Sequence, residues 1–157
     1  MAANQDRVRE HTQKLVESYM TLIQQRRFDE WIDLWADDGI CEFPYAPQDR
    51  PRLLRGKGAI LEYMKGYPEF IAIDSIAELR VYPMHDPELA VAEMAIIGHA
   101  LSTGRPYNQR YVVLLEAKNG KIQRYREYWN PLITLEAFGE LDLWMSKTRE
   151  SASEDRS

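Results

Sequence analysis

The stretch 107–130, YNQRYVVLLEAKNGKIQRYREYWN, decides how this chain folds. It consists of two runs, YNQRYVVLLEA and KIQRYREYWN, separated by the turn KNG. Side chains along a strand point alternately to its two faces, and a short turn containing glycine joins antiparallel neighbours. The stretch therefore predicts a β-hairpin in which Glu127 lies on the same face as Tyr125 and Trp129.

The segments before this hairpin predict further strands and then helices. Alternation predicts two more strands, FIAIDSIAELRVYP and LAVAEMAIIGHALS, followed by turns at HDPE and TGRP. Further upstream the apolar spacing is helical, and we expect helices over 6–27, 28–35 and 57–65. Gly39 is expected to end the second helix, before the short strand ICEFPY and a loop rich in proline and arginine. After the hairpin, PLITLEAFGELDLWM predicts a short helix or an edge element.

This order of elements predicts an α+β fold. We expect a cone-shaped domain in which a curved antiparallel sheet packs against three N-terminal helices. Such an arrangement encloses an apolar pocket between the sheet and the helices. The expected domain spans residues 1–145, and residues 146–157 form a polar tail that has no apolar surface to bury.

Composition and charge narrow the classes of partner. The chain has 157 residues, enough for one domain with a core, and a formal net charge of −5. No basic stripe is present that would release counterions, so we expect neither a nucleic-acid nor an anionic-membrane partner. Cys41 is the single cysteine, which excludes an intrachain disulfide. With no apolar run long enough to cross a bilayer, we expect a cytoplasmic protein.

Three segments carry a resemblance to a known superfamily: LWADDGICEFP, RGKGAILEYMKG and NGKIQRYREYWNPL. Together with the predicted element order, they resemble the nuclear-transport-factor-two-like superfamily over roughly residues 10–135. Its members include ketosteroid isomerases, SnoaL-type polyketide cyclases and the phenazine-biosynthesis A/B proteins. The resemblance implies the cone-shaped fold, whereas the reaction must be inferred from individual residues because one fold hosts many activities.

The resemblance to the steroid isomerases places four residues in the pocket. Tyr19 occupies the position of the tyrosine that donates to the developing oxyanion, and Trp129 that of a residue walling the cavity. Phe43 falls where the isomerases have their general base, and Gln109 at or near their protonated aspartic acid. Because neither replacement titrates as a carboxylic acid does, the resemblance implies an isomerase scaffold without the steroid-isomerase reaction.

The resemblance to the phenazine A/B proteins places a carboxylate. Their last strand carries a glutamate in a triplet similar to REY, which matches Glu127. Their acid–base histidine aligns with Tyr63, and their active-site arginine has no counterpart that the sequence identifies. We therefore take Tyr63, with Phe43, Gln109, Tyr125 and Trp129, as candidate substrate-binding residues.

Glu127 itself has two interpretations. Between Tyr125 and Trp129 it is partly removed from water, which raises the pKa of a carboxyl group and suits a general acid or base. Alternatively, it forms an ion pair with an arginine such as Arg110 and has a purely structural role.

His99 is the third catalytic candidate beside Glu127 and Tyr19. It shares the parity of Ala95 and Ile97, and if that face lines the cavity, it is a group for proton transfer. The alternative is a hydrogen-bonded core histidine. Tyr19 and Tyr63 have a similar alternative, because most helix-face tyrosines are packing groups.

The sequence shows no metal-ligand spacing and no glycine-rich nucleotide motif, so we expect neither a metal nor a cofactor. The leading hypothesis is an enzyme that isomerises, dehydrates or cyclises an apolar ring compound bearing a carbonyl or enol. The alternatives are a non-catalytic binding or assembly domain and, last, an epoxide hydrolase. We also expect a homodimer through the outer face of the sheet, where Arg124, Arg126 and Tyr128 alternate outward.

Overall fold

The computed structural model describes residues 1–143 and 145–146. Its helices are α1 Ala2–Gln24, α2 Phe28–Ile32, α3 Lys57–Gly66 and α4 Pro131–Ala137, and a turn of 3-10 helix at Tyr67–Glu69 follows α3. Its strands are β1 Trp35–Glu42, β2 Leu53–Arg55, β3 Ile71–Pro83, β4 Leu89–Ala100, β5 Arg110–Lys118 and β6 Lys121–Trp129. The predicted polar tail, apart from Ser146, lies outside the described residues.

The strands form one curved sheet in the order β2-β1-β6-β5-β4-β3. The four strands β3 to β6 are a meander with antiparallel neighbours, as the alternating segments predict. The helices α1, α2 and α3 pack on the concave side, so the predicted α+β cone fold is confirmed. The expectation of a wholly antiparallel sheet is wrong at one place, because β1 and β6 run parallel.

The start of β1 also differs from the predicted boundaries. Helix α2 ends at Ile32, and Trp35 begins a strand instead of ending a helix. Gly39 lies inside this strand, where the pairing with β6 shifts register between Trp35 and Ile40. A Cβ at position 39 would come within 2.9 Å of the Trp35 ring. Glycine is therefore required by the close approach of an indole and does not end a helix.

The core below the pocket is aromatic. Tyr19 of α1 stacks on Tyr125 of β6 with ring centroids 4.2 Å apart, and Trp31 meets Tyr19 edge-on at 5.2 Å. Trp35 completes the cluster, and both indoles are fully buried. Such pairs contribute about 0.5–1.5 kcal/mol each beyond their buried area. They fix α1 and α2 against the middle of the sheet.

The outer face of the sheet combines ion pairs with exposed apolar side chains. Arg124 and Arg126 of β6 both contact the Glu42 carboxylate, at 3.0 and 2.7 Å. On β5, Val112 and Leu114 are 41% and 37% exposed. Within the described part of the chain, no helix has the length and apolar character needed to cross a membrane.

Candidate active site

The helices and the concave face of the sheet enclose a pocket of about 660 Å³. This volume lies in the range of cavities that bury a small organic ligand. The predicted apolar pocket is confirmed, and its walls are mainly aliphatic and aromatic. Seven lining residues carry hydroxyl groups: Tyr19, Tyr63, Tyr67, Ser102, Tyr107, Tyr111 and Thr134.

Glu127 projects from β6 into this pocket. Protein surrounds its carboxyl group as densely as it surrounds the core residues. The side chain is nevertheless only partly buried, because the cavity lies next to it. Its Oε2 accepts a hydrogen bond of 3.1 Å from the hydroxyl of Tyr125. Among the described residues no cation pairs with it, and Arg110 pairs instead with Glu78 at 2.7 Å. The structural interpretation of Glu127 as a partner of Arg110 is therefore wrong.

Burial changes the acidity of this carboxyl group. The loss of hydration raises the pKa of Glu127 from 4.5 to about 7, and the hydrogen bond from Tyr125 opposes part of the rise. Near neutral pH both protonation states are populated. A group in that condition can accept a proton in one step and return it in the next.

Tyr19 brings a hydroxyl group to the same end of the pocket. It reaches the cavity from α1 and is held by its stacking on Tyr125. Burial, followed by the charge of Glu127, raises the pKa of Tyr19 well above 10. Its hydroxyl therefore stays protonated and can act as a hydrogen-bond donor.

Three predicted substrate-binding residues line the pocket as expected. Phe43 and Tyr63 lie 5.3 Å apart between ring centroids and form one wall, and Trp129 forms another. Burial and then the charge of Glu127 raise the pKa of Tyr63 to about 12. Tyr63 can donate a hydrogen bond but cannot replace an acid–base histidine near neutral pH.

Comparison with known proteins agrees with this geometry. The profile of the SnoaL-like domain matches residues 16–125. The chain belongs to the SnoaL-like family.

Two protein sequences and one solved structure are similar to this chain over most of its length. The uncharacterized protein YesE of Bacillus subtilis is 40% identical over 121 residues, 77% of this chain and 82% of YesE. An uncharacterized PhzA/B-like protein of Pseudomonas aeruginosa is 35% identical over 112 residues, 71% of this chain and 79% of that protein. A solved structure from Bacillus subtilis has a TM-score of 0.80 at 38% identity, covering 83% of this chain and 94% of that one.

One predicted catalytic residue of this SnoaL-like chain lies outside the pocket. His99 lies on the solvent side of β4 with 41% of its side chain exposed, and its Nδ1 is 3.1 Å from Oδ2 of Asp74. The inward residues of β4 are Ala92, Met94 and Ile96, which have the other parity. The expectation that His99 points inside is wrong. The apolar Ala95 and Ile97 share its parity, but so does Glu93, and this face is the outer one.

Gln109 is buried as expected, but it does not line the pocket. Its Nε2 donates to the carbonyl of Asn130 at 2.9 Å and reaches Oγ1 of Thr134 at 3.5 Å. Its Oε1 accepts from the backbone N–H groups of Arg110 and Asn130. Because the whole amide is used in holding the start of α4, the prediction that it binds substrate is wrong.

Tyr125 and Cys41 lie beneath the pocket wall. Tyr125 is fully buried and supports Glu127 from below, so it positions the carboxylate without lining the cavity. Cys41 is 2% exposed, and burial followed by the charge of Glu127 raises the pKa of its thiol. A thiol held protonated is a poor nucleophile.

Sequence reasoning missed several pocket residues of this SnoaL-like domain. Arg50 lines the cavity from the loop before β2, pairs with Glu140 at 3.2 Å and lies 5.1 Å above the Phe138 ring. Its loop position gave no periodic signal. Tyr107 and Tyr111 share the parity of Gln109, and that alternation could have identified both.

Proposed function

We propose that this SnoaL-like protein is an acid–base enzyme acting on an apolar ring compound that bears a carbonyl or enol. The observation that carries the proposal is Glu127, a carboxyl that has no cationic partner among the described residues and a pKa of about 7, inside a pocket of about 660 Å³. Carboxyl groups with displaced pKa values in clefts are a recurrent feature of active sites.

The proposed chemistry begins with a proton next to the substrate carbonyl. The Glu127 carboxylate takes this proton, and the electron pair moves onto the carbonyl oxygen. Tyr19 donates a hydrogen bond to that oxygen as its negative charge develops. The neutral Glu127 then returns the proton at another carbon in an isomerisation, or to a leaving hydroxyl in a dehydration. In an aldol-type cyclisation the enolate carbon attacks a second carbonyl of the substrate, the π pair of that carbonyl moves onto its oxygen, and the neutral Glu127 gives its proton to the resulting alkoxide.

The family relationship supports this range of reactions. The PhzA/B-like relative from Pseudomonas aeruginosa points toward phenazine-like or other aromatic ring metabolism. Phe43 lines the pocket at the position that steroid isomerases give to their base, and a phenyl ring cannot take a proton. Steroid isomerisation by that route is therefore disfavoured, and Glu127 is the group left to move the proton.

Two other functions are less well supported. An ion pair between Glu127 and a lysine or arginine, together with an interior that has no open cavity, would favour a non-catalytic binding domain. Among the described residues Glu127 has no such partner, and the interior is open. An epoxide hydrolase of this fold would need two aspartates around a water, whereas the described pocket lining contains only Asp49.

The decisive experiment measures proton transfer with the probe ketone 2-tetralone. Its exchange of carbonyl-adjacent hydrogens in heavy water, followed by NMR, should be accelerated by the wild-type protein. The Glu127→Gln substitution keeps the shape and an acceptor for Tyr125, and should lower this acceleration by about a hundredfold or more. Glu62→Gln, at an exposed site on α3, is the matched control and should leave the rate unchanged.

The pH dependence gives an independent check on the same group. The rate should rise as Glu127 loses its proton, with a midpoint near its pKa of about 7. Full activity in Glu127→Gln, or a rate that is flat from pH 5 to pH 8, would refute Glu127 as the base.

A further inference from the structure

A second group of hydroxyls lines the pocket beside β5. Tyr107 lies just before this strand and Tyr111 lies on it, and both face the cavity. The hydroxyl of Tyr111 donates to that of Tyr107 at 3.4 Å. The proton transfer proposed for Glu127 uses neither residue, so this convergence of two polar groups in an apolar wall needs another explanation.

The hydroxyl of Tyr107 is polarised toward the pocket. The residue is 4% exposed, and its oxygen accepts the hydrogen bond from Tyr111. The side chains of Thr134 and Gln109 are also within hydrogen-bonding reach of this hydroxyl. A hydroxyl that accepts a hydrogen bond becomes a better donor. Burial raises the pKa of Tyr107, so its proton is retained and available to a ligand oxygen.

The position of this hydroxyl pair relative to Glu127 follows from the strand register. Glu127 is paired with Val113, and Tyr111 is two residues away on the same face of β5. Diagonal neighbours of this kind lie roughly 7–8 Å apart, and their Cβ atoms are somewhat closer. Tyr19 reaches Glu127 from α1, on the side of Tyr125. Glu127 therefore lies between two groups of hydroxyl donors that come from different elements.

We propose that Tyr107 is a second oxygen-binding donor of the pocket, positioned by Tyr111. The ligand would then carry one oxygen near Tyr19 and Glu127 and another at Tyr107. This narrows the substrate class to ring compounds with two oxygen functions, such as hydroxyketones or diketones. The inference rests on the proposed function in one respect, that the same pocket holds the substrate.

The test compares two probe ligands that differ only in oxygen, naphthalene and 2,6-dihydroxynaphthalene. Binding to the full chain is measured by the intrinsic fluorescence of the ligands. Tyr107→Phe should lower the affinity for 2,6-dihydroxynaphthalene by about three- to tenfold, which corresponds to the loss of one hydrogen bond. The affinity for naphthalene should not change. Tyr111→Phe should lower the affinity for 2,6-dihydroxynaphthalene to a smaller extent, because it removes the hydroxyl that donates to Tyr107 and leaves the Tyr107 hydroxyl in place.

Tyr128→Phe is the matched control, since Tyr128 lies on β6 outside the inner pocket. The proposal is overturned if Tyr107→Phe weakens both ligands equally, if Tyr128→Phe has the same effect, or if the wild type binds neither ligand. Should Tyr107→Phe fail to fold, Tyr111→Phe decides by the same comparison. Because binding is measured and not turnover, a negative result here leaves the exchange of 2-tetralone as a separate test of Glu127.

Discussion

The raised pKa of Glu127 predicts that the protein loses stability as the pH rises from about 4.5 to about 7. An ordinary glutamate has a pKa of 4.5, and burial brings this one to about 7. Between these pH values the folded state holds a proton that the unfolded state has released, so the free energy of unfolding falls as pH rises. At about 1.4 kcal/mol per pKa unit, the free energy of unfolding falls by roughly 3 kcal/mol in total. The decrease is complete above pH 7 and absent below pH 4.5.

Glu127→Gln removes this titration and keeps an acceptor for the Tyr125 hydroxyl. We expect the variant and the wild type to be about equally stable near pH 5, and the variant to be more stable by up to roughly 3 kcal/mol at pH 8. Urea denaturation at both pH values measures the difference, with Glu62→Gln as the exposed control. A stability difference that is the same at pH 5 and pH 8 would refute the assignment of a raised pKa to Glu127.

Two further predictions concern Tyr19 and the outer face of the sheet. Tyr19→Phe should slow the exchange of 2-tetralone on the order of a hundredfold with little change in its binding, and an unchanged rate would remove Tyr19 from the chemistry. We further propose a homodimer through the outer face, supported by the exposed Val112 and Leu114. Leu114→Glu, which faces Arg126 in the register, should give a folded monomer in sedimentation velocity; a wild type that is already monomeric at micromolar concentration would contradict the proposal.

The sequence predicted the parts of the site that depend on local periodicity. The hairpin of β5 and β6 and the inward direction of Glu127 and Trp129 follow from alternation within one strand. His99 was expected to point inside because Ala95 and Ile97 share its parity, although Glu93 on the same face indicates the outer side of β4. The alternation predicts the direction of a side chain only when every residue of the face is counted.

The remaining differences come from contacts between distant parts of the chain. Gln109 was expected to offer its amide to a ligand, and the groups that use that amide belong to Asn130 and Thr134, which follow β6. Arg50 enters the pocket from a loop whose course depends on the pairing of β1 with β2. Neither partnership is encoded in spacing, since each depends on where two separate segments meet in the folded chain.

The parallel pairing of β1 with β6 has a consequence for how the protein is made. β1 is one of the first strands in the chain, and β6, which carries Glu127, is the last and lies directly beside it. The two must meet across a long intervening segment, and contacts of such high sequence separation slow folding. Until β6 has left the ribosome, Trp35 lacks the strand that pairs with it and the Tyr125 ring that packs on its indole. The strand that carries Glu127 is thus also the last strand to complete the core. A chain truncated before it would expose the Trp35 indole and depend on chaperones for its solubility.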